Sequence, residues 1–211
     1  MKEKIMDAWT EKWNTKFSTE EYAYGKTPNL YLAEKLENLP VGKILCGAEG
    51  EGRNAVYAAK KGWEVAAFDI SEEGRKKAMR LAKENQVEID YKNGLLPTLG
   101  YKPQRFDAIA LIYAHFPKNI RETYHKLLDT YLKSGGYIIL EAFRVGHEAY
   151  QKVNPNVGGP QQKDFLLSDK ELKETFSNYE IIELLETETM LNEGDGHIGK
   201  GGVVRFLGKK M

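Results

Sequence analysis

The residues best equipped for chemistry lie between positions 44 and 69. An apolar run leads into a turn of small and acidic residues, Gly47-Ala48-Glu49-Gly50-Glu51-Gly52-Arg53-Asn54. A second apolar run, Glu64-Val65-Ala66-Ala67-Phe68-Asp69, ends in a carboxylate. Glycines let a ligand approach the backbone, and an acid closing the next strand can accept hydrogen bonds from ribose hydroxyls, so the pattern is that of a nucleoside-binding unit. A third group, His115-Phe116-Pro117, follows another apolar run. His115 has two readings: a base or orienting group for a substrate, or a loop histidine packed against Phe116.

Two kinds of nucleoside fit the turn. Gly50-Glu51-Gly52-Arg53-Asn54-Ala55 satisfies the dinucleotide fingerprint G-x-G-x-x-G/A, and Asp69 stands at about the 20-residue distance that fingerprint expects. A dinucleotide, however, sets a pyrophosphate over the turn, where Glu49 and Glu51 add negative charge. S-adenosylmethionine brings a sulfonium and an ammonium, which acidic neighbours favour. Charge therefore turns the reading towards the sulfonium cofactor.

The elements that must position these groups follow from periodicity and punctuation. A partly helical opening stretch, through about residue 38, carries Trp9, Trp13, Phe17, Tyr22, Tyr24 and Tyr31. A strand over Lys43–Gly47, a helix over 53–61 stopped by Gly62, and a strand over Glu64–Asp69 come next. Ser71 caps a helix with acids in its first turn and bases further along. A short third strand is expected over 87–92 and a fourth over 107–114. The helix after it places Ile120, Tyr124, Leu127, Leu128, Tyr131 and Leu132 on one face and should end at Gly135-Gly136, before a strand over 137–143. Ser168-Asp169-Lys170-Glu171 opens a short helix with a capping box. Strands near 181–186 and 203–207 leave no room for a crossover helix, so they pair antiparallel. Strand–helix alternation predicts an α/β fold, a doubly wound, mostly parallel seven-stranded sheet with ligands at the carboxyl ends of its strands.

Composition narrows the function classes. Lys plus Arg and Asp plus Glu number 31 each, a net charge of zero, so no global field draws the chain to nucleic acid or to an anionic membrane. No apolar run approaches the roughly 20 residues that span a bilayer, and residues 1–14 are too polar for a signal peptide. A cytoplasmic protein is expected. Cys46, the sole cysteine, leaves no internal disulfide and reads as a buried, inert thiol. Isolated histidines give no zinc spacing, and His197, among glycines, reads as part of a flexible hairpin loop.

The motifs together resemble the class I S-adenosylmethionine-dependent methyltransferases, in particular the group of the tellurite-resistance and thiopurine methyltransferases. The matching pieces are Tyr24-Gly25-Lys26-Thr27-Pro28-Asn29, the turn from Ala48 to Asn54, Phe68-Asp69-Ile70-Ser71 and His115-Phe116-Pro117. The resemblance implies that Ala48, Glu49, Gly50, Gly52, Arg53 and Asn54 lie against the methionine part of the cofactor, and that Asp69, beside Ile70, binds the ribose. Tyr24 and Gly25 would help to close the site, Asn93, Gly94 and Leu95 would border the adenine, and Tyr113, at the end of the fourth strand, would also bind the cofactor. His115 is the catalytic candidate for acceptors that need a base. Two departures stand out. Cys46 and Ala48 replace the first Asp and Gly of the usual glycine motif, and Leu95 replaces an acid near the adenine.

The expected activity is methyl transfer to a small-molecule acceptor such as a thiol or a chalcogen species. Residues 1–38 would form an aromatic lid segment and residues 39–211 the methyltransferase domain. A non-catalytic binder of the same cofactor and an NAD-dependent oxidoreductase are the rival readings. Trp9, Trp13, Phe17 and Tyr22 read mainly as core anchors, with Tyr24 as the functional aromatic among them.

Overall fold

The computed structural model describes residues 2–211. Seven strands form one sheet: β1 (Lys43–Gly47), β2 (Glu64–Asp69), β3 (Asp90–Asn93), β4 (Phe106–Ile112), β5 (Leu132–Phe143), β6 (Tyr179–Glu193) and β7 (His197–Lys210). Their spatial order is β3-β2-β1-β4-β5-β7-β6. The first five run parallel, while β7 lies antiparallel to both β5 and β6. This is the predicted architecture.

Side-chain alternation along β1 shows how both faces are covered. Leu45 joins one apolar cluster with Phe68, Leu111 and Phe206, whereas Ile44 and Cys46 join a second on the opposite face. Helix α5 (Lys118–Tyr131) and the short α7 (Asp169–Thr175) pack on the first face. Helices α2 (Leu30–Asn38), α3 (Arg53–Lys60) and α4 (Glu72–Glu84) pack on the second. Helix α1 (Lys2–Phe17) leans on α4, where Asn14 Oδ1 accepts the Ser71 hydroxyl at 2.8 Å and the Glu73 N–H at 3.3 Å. A short helix, α6 (Glu148–Val153), follows β5.

Three boundaries differ from expectation, each for a local reason. β3 begins at Asp90 because residues 86 and 87 close α4. Gln86 takes a left-handed φ of 57°, its N–H bonds the Lys83 carbonyl, and the Val87 N–H returns to the Ala82 carbonyl at 3.1 Å. That is a Schellman closure with glutamine in the usual glycine place. Helix α5 stops at Tyr131, before Gly135-Gly136, and the glycines lie inside β5 beside an irregularity in its pairing with β4. Strands β6 and β7 are far longer than their apolar centres, because cross-strand pairing continues to Glu193 and His197 through residues with little apolar alternation. What read as a loose glycine loop is a tight turn, Gly194-Asp195-Gly196.

Candidate active site

The carboxyl ends of β1, β2, β4 and β5 open into a cavity of about 500 Å³ roofed by α1, a size suited to a small ligand. After β1 the chain turns sharply. Ala48 takes φ 51° and Gly50 φ 59°, and Gly52 takes φ 90° as the N-cap of α3. A side chain on Gly52 would meet Ala78 Cβ at 2.5 Å, so this glycine serves the approach of α3 to α4.

Glu49 folds back onto the helix that follows. Its Oε1 accepts the N–H groups of Asn54 at 2.9 Å and Ala55 at 2.8 Å, so a carboxylate of the chain itself fills the anion site at the start of α3. Burial raises its pKa to about 7, against the opposing pull of those N–H groups and Arg53. Asp69, also buried, accepts the Gly50 N–H on Oδ2 at 3.0 Å and the Ser71 N–H on Oδ1 at 2.8 Å. Burial outweighs these bonds and lifts its pKa to about 6. Each oxygen keeps spare acceptor capacity.

A buried polar network sets the opposite rim. Asn29, the N-cap of α2, donates to Glu141 at 2.6 Å and to Glu193 Oε1 at 3.0 Å. Glu141 is further bound by Arg205 at 2.6 Å and by the Tyr113 hydroxyl at 3.0 Å. Glu193 Oε2 takes Arg53 Nη2 at 3.1 Å and His197 Nδ1 at 2.9 Å. Burial alone would raise the Glu193 pKa, but the His197 bond and the Arg53 charge hold it down at about 2. The network pins the β6–β7 turn over the cavity, where the Gly196 N–H also donates to the Ala23 carbonyl at 2.8 Å.

The roof is aromatic. Trp9, Trp13 and Phe17, one turn apart on α1, line the cavity with Tyr24. Trp9 stacks on Phe165 at 5.0 Å, and Tyr24 meets the His197 ring at 4.5 Å.

Residues 44–136 match the methyltransferase domain family. Among curated proteins, none matches this sequence. Solved structures share its architecture. The magnesium protoporphyrin IX methyltransferase ChlM from Synechocystis PCC 6803, solved with bound SAH, superposes with a TM-score of 0.71 at 15% identity, covering 97% of this chain and 99% of that one. TehB from Haemophilus influenzae gives a TM-score of 0.69 at 18% identity over 96% of this chain and 67% of its own. A protein described in work on the conversion of a disulfide bond into a thioacetal group during echinomycin biosynthesis gives 0.76 at 16%, over 96% and 92%. At these identities the likeness shows the fold, which is that of the class I methyltransferases.

Tyr24, Ala48, Glu49, Gly50, Arg53, Asn54, Asp69, Ile70, Gly94, Leu95, Tyr113 and His115 all border this cavity. Gly25, Gly52 and Asn93 stand behind it. Gly25 backs onto Gly194, and Asn93 Nδ2 braces the Asp69 carbonyl at 3.2 Å.

Three readings change. Glu51 does not face the cavity: it is buried against Lys77 at 2.6 Å and accepts the Ala23 and Tyr24 N–H groups, so it anchors the Tyr24 segment instead of charging the turn. His115 lines the cavity, but both ring nitrogens are engaged. Nδ1 donates to the Phe165 carbonyl at 2.9 Å and Nε2 accepts the Phe143 N–H at 3.3 Å, while burial drives its pKa down to about 3. With both nitrogens so engaged, the ring offers no free lone pair in this arrangement, which speaks against His115 as the base. His197, expected in a flexible loop, is buried and fixed to Glu193.

The aromatic face of α1 was visible as Trp9, Trp13 and Phe17 at four-residue spacing. The Glu193–His197 pair gave no such signal, since its meaning depends on a tight turn that the glycines concealed. Cys46 is fully buried, and burial pushes its thiol pKa well up. Among the described residues no helix is long and apolar enough to cross a membrane, and no cluster of His, Cys, Asp or Glu could hold a metal ion.

Proposed function

We propose that this chain transfers the methyl group of S-adenosylmethionine to a small-molecule acceptor, a thiol or a reduced chalcogen species, in the cavity beneath α1. The observation that carries the cofactor choice is Glu49. It already occupies the N–H groups at the start of α3, the donors on which a dinucleotide's pyrophosphate depends. An ammonium and a sulfonium, by contrast, gain from a nearby carboxylate and from the faces of aromatic rings. The residues present fit such a ligand. Asp69 has acceptor capacity for a ribose diol, and Gly94, Leu95 and Leu96 form an apolar wall suited to a base.

The cofactor supplies a methyl group that is already activated. The chain's own work is to bind, to orient and to exclude water. Tyr24, Trp13 and Phe17 cover the site, Arg53 and Asn54 tie it to the rim, and Glu193 holds the β6–β7 turn over it. The enclosed, aromatic acceptor end, with Phe116, Tyr124 and Phe143, suits a compact and polarisable nucleophile. The sulfur chemistry of the echinomycin-pathway neighbour is in keeping with that class. Residues 1–38 serve as the lid of the same domain, residues 39–211 form the methyltransferase domain, and a cytoplasmic protein with no nucleic-acid partner accords with the balanced charge.

Calorimetry with S-adenosylhomocysteine and NAD, followed by methyl transfer from labelled S-adenosylmethionine to thiol, selenium and tellurium acceptors, tests this. Binding of S-adenosylhomocysteine and a methylated product are expected. Binding without transfer to any acceptor points to a non-catalytic binder, and preference for NAD overturns the reading.

A further inference from the structure

Four histidines occur in the chain, and their surroundings differ in one decisive respect. His115 has both nitrogens tied to backbone groups. So does His147, whose Nε2 donates to the Gly158 carbonyl at 3.1 Å while Nδ1 accepts the Gly202 N–H at 3.2 Å. His125 is buried in α5 and does not border the cavity. His197 borders the cavity with one nitrogen bound by a carboxylate and the other, Nε2, without a protein partner among the described residues.

We infer that His197 is the general base of the methyl transfer, with Glu193 as its positioning residue. The two are directly opposed across the last pair of the β6–β7 ladder. The Nδ1–H bond to Glu193 Oε2, 2.9 Å long, fixes the tautomer that leaves the Nε2 lone pair open. Glu193 cannot swing away, since Arg53 shares Oε2 and Asn29 holds Oε1. The ring is wedged between Tyr24 at 4.5 Å, Tyr113 at 4.6 Å and Phe143 at 5.1 Å. Gly158 packs against its Cδ2 edge, where any side chain would collide.

The groups that face the ring act in opposite senses. Glu193 favours the imidazolium, whereas Arg53 on α3 and Lys16 on α1 disfavour it. His115 and His147 lie near enough for each to feel the charge of His197, and Tyr24 and Tyr113 stay protonated because burial raises their pKa. Burial is the largest influence and leaves the pKa of His197 below its ordinary value. The ring is thus neutral near pH 7 and ready to accept a proton.

This assignment rests on the methyl-transfer reading and extends it to acceptors that must lose a proton. A thiol that enters this apolar cavity is held protonated by the same burial that raises the Cys46 thiol. As the acceptor's lone pair bonds the methyl carbon, the carbon–sulfur electron pair returns to the cofactor sulfur. The acceptor's proton passes to Nε2, and the imidazolium so formed faces the Glu193 carboxylate until it loses that proton to solvent.

Two probe acceptors separate the base from mere structure: phenylmethanethiol, an alkyl thiol that is still protonated near pH 7, and benzyl methyl sulfide, which has no proton to lose. His197→Gln is expected to lower kcat for phenylmethanethiol by about 100-fold while benzyl methyl sulfide changes less than about 2-fold, and added imidazole should restore the first. Equal losses with both acceptors, or none, overturn the assignment. Independently of turnover, nitrogen NMR of the wild-type protein with S-adenosylhomocysteine should show His197 neutral at about pH 7 and protonated on Nδ1. An imidazolium, or a proton on Nε2, overturns it equally. Failure to bind S-adenosylhomocysteine at all would instead sink the methyltransferase reading, so the two failures are distinguishable.

Discussion

Trp9 of α1 lies nearly flat on Phe165, with ring centroids 5.0 Å apart and planes inclined by 16°. The pair joins the roof of the cavity to the segment that precedes α7. The Phe165 carbonyl in turn receives the His115 ring at 2.9 Å, so one stack and one hydrogen bond fix roof and wall to each other.

Loosening that stack should open the site without unfolding the domain. Such pairs are worth about 0.5–1.5 kcal/mol beyond their burial, so Trp9→Ala should weaken S-adenosylhomocysteine binding roughly 2–10-fold. Phe165→Ala should do the same, and the double variant should be little worse than either alone. Titration calorimetry on the three variants reads this, and fully additive losses would show that the rings act separately.

Cofactor affinity should depend on pH through two carboxyls. Glu49 and Asp69 carry pKa values raised to about 7 and about 6 by burial. A cationic ligand that donates hydrogen bonds favours their ionised forms, so binding should tighten as pH rises from about 5 to about 8 with uptake of ligand and release of protons. Glu49→Gln should flatten the upper part of the profile. Affinity that falls over this range would contradict the assignment.

The same shifts bear on stability in the opposite sense. A carboxyl whose folded pKa exceeds its unfolded value stabilises the fold fully below the unfolded pKa, and this contribution is lost as pH rises through the folded pKa. For Glu49 that window runs from 4.5 to about 7, so the Tm of the ligand-free wild type should fall relative to Glu49→Gln across it. His115 behaves conversely. Its pKa drops from 6.5 to about 3, so its contribution is present above the upper value and lost as pH falls towards the lower. Differential scanning calorimetry of ligand-free protein at several pH values checks both signs.

Glu51→Gln should act on the fold first. The residue forms a buried pair with Lys77 at 2.6 Å, and loss of one partner from such a pair costs about 3–5 kcal/mol. Urea denaturation should show a lower midpoint, with proteolysis near Tyr24 accelerated because Glu51 holds the Ala23 and Tyr24 N–H groups. An unchanged midpoint would mean that the pair contributes little.

His115→Gln should leave the pH dependence of kcat in place. The ring already serves two backbone groups, and their loss should cost about 1–3 kcal/mol of stability. Disappearance of the low-pH limb in this variant would restore His115 as the base.

Much of this was legible in the residues alone, and the exceptions share a cause. The strand-turn-helix-strand unit from Lys43 to Asp69 was clear because each boundary is set locally, by glycine, by a cap or by apolar alternation. Glu49 and Glu51 looked alike in sequence, yet one caps α3 and the other pairs with Lys77 on α4. Only the course of the turn decides which way each points. His197 and Glu193 were hidden more deeply, since their pairing follows from the register of two strands that carry no strong apolar signal. Gln86, a closure without glycine, misled the boundary of β3 for the reason that glutamine seldom takes a positive φ.

The buried network that fixes the β6–β7 turn has a consequence for biogenesis. Asn29 and Glu193 meet across 164 positions of chain, and Arg53 and Glu193 across 140. Contacts of such separation form late, because the entropy of closing the intervening loop must be met first. While a ribosome has not yet released the hairpin, the glycine turn and Asp69 can exist, but the far rim cannot. Nascent chains should therefore lack a complete cofactor site, and Tyr24 at the edge of the roof has no His197 ring to meet until residue 197 has emerged.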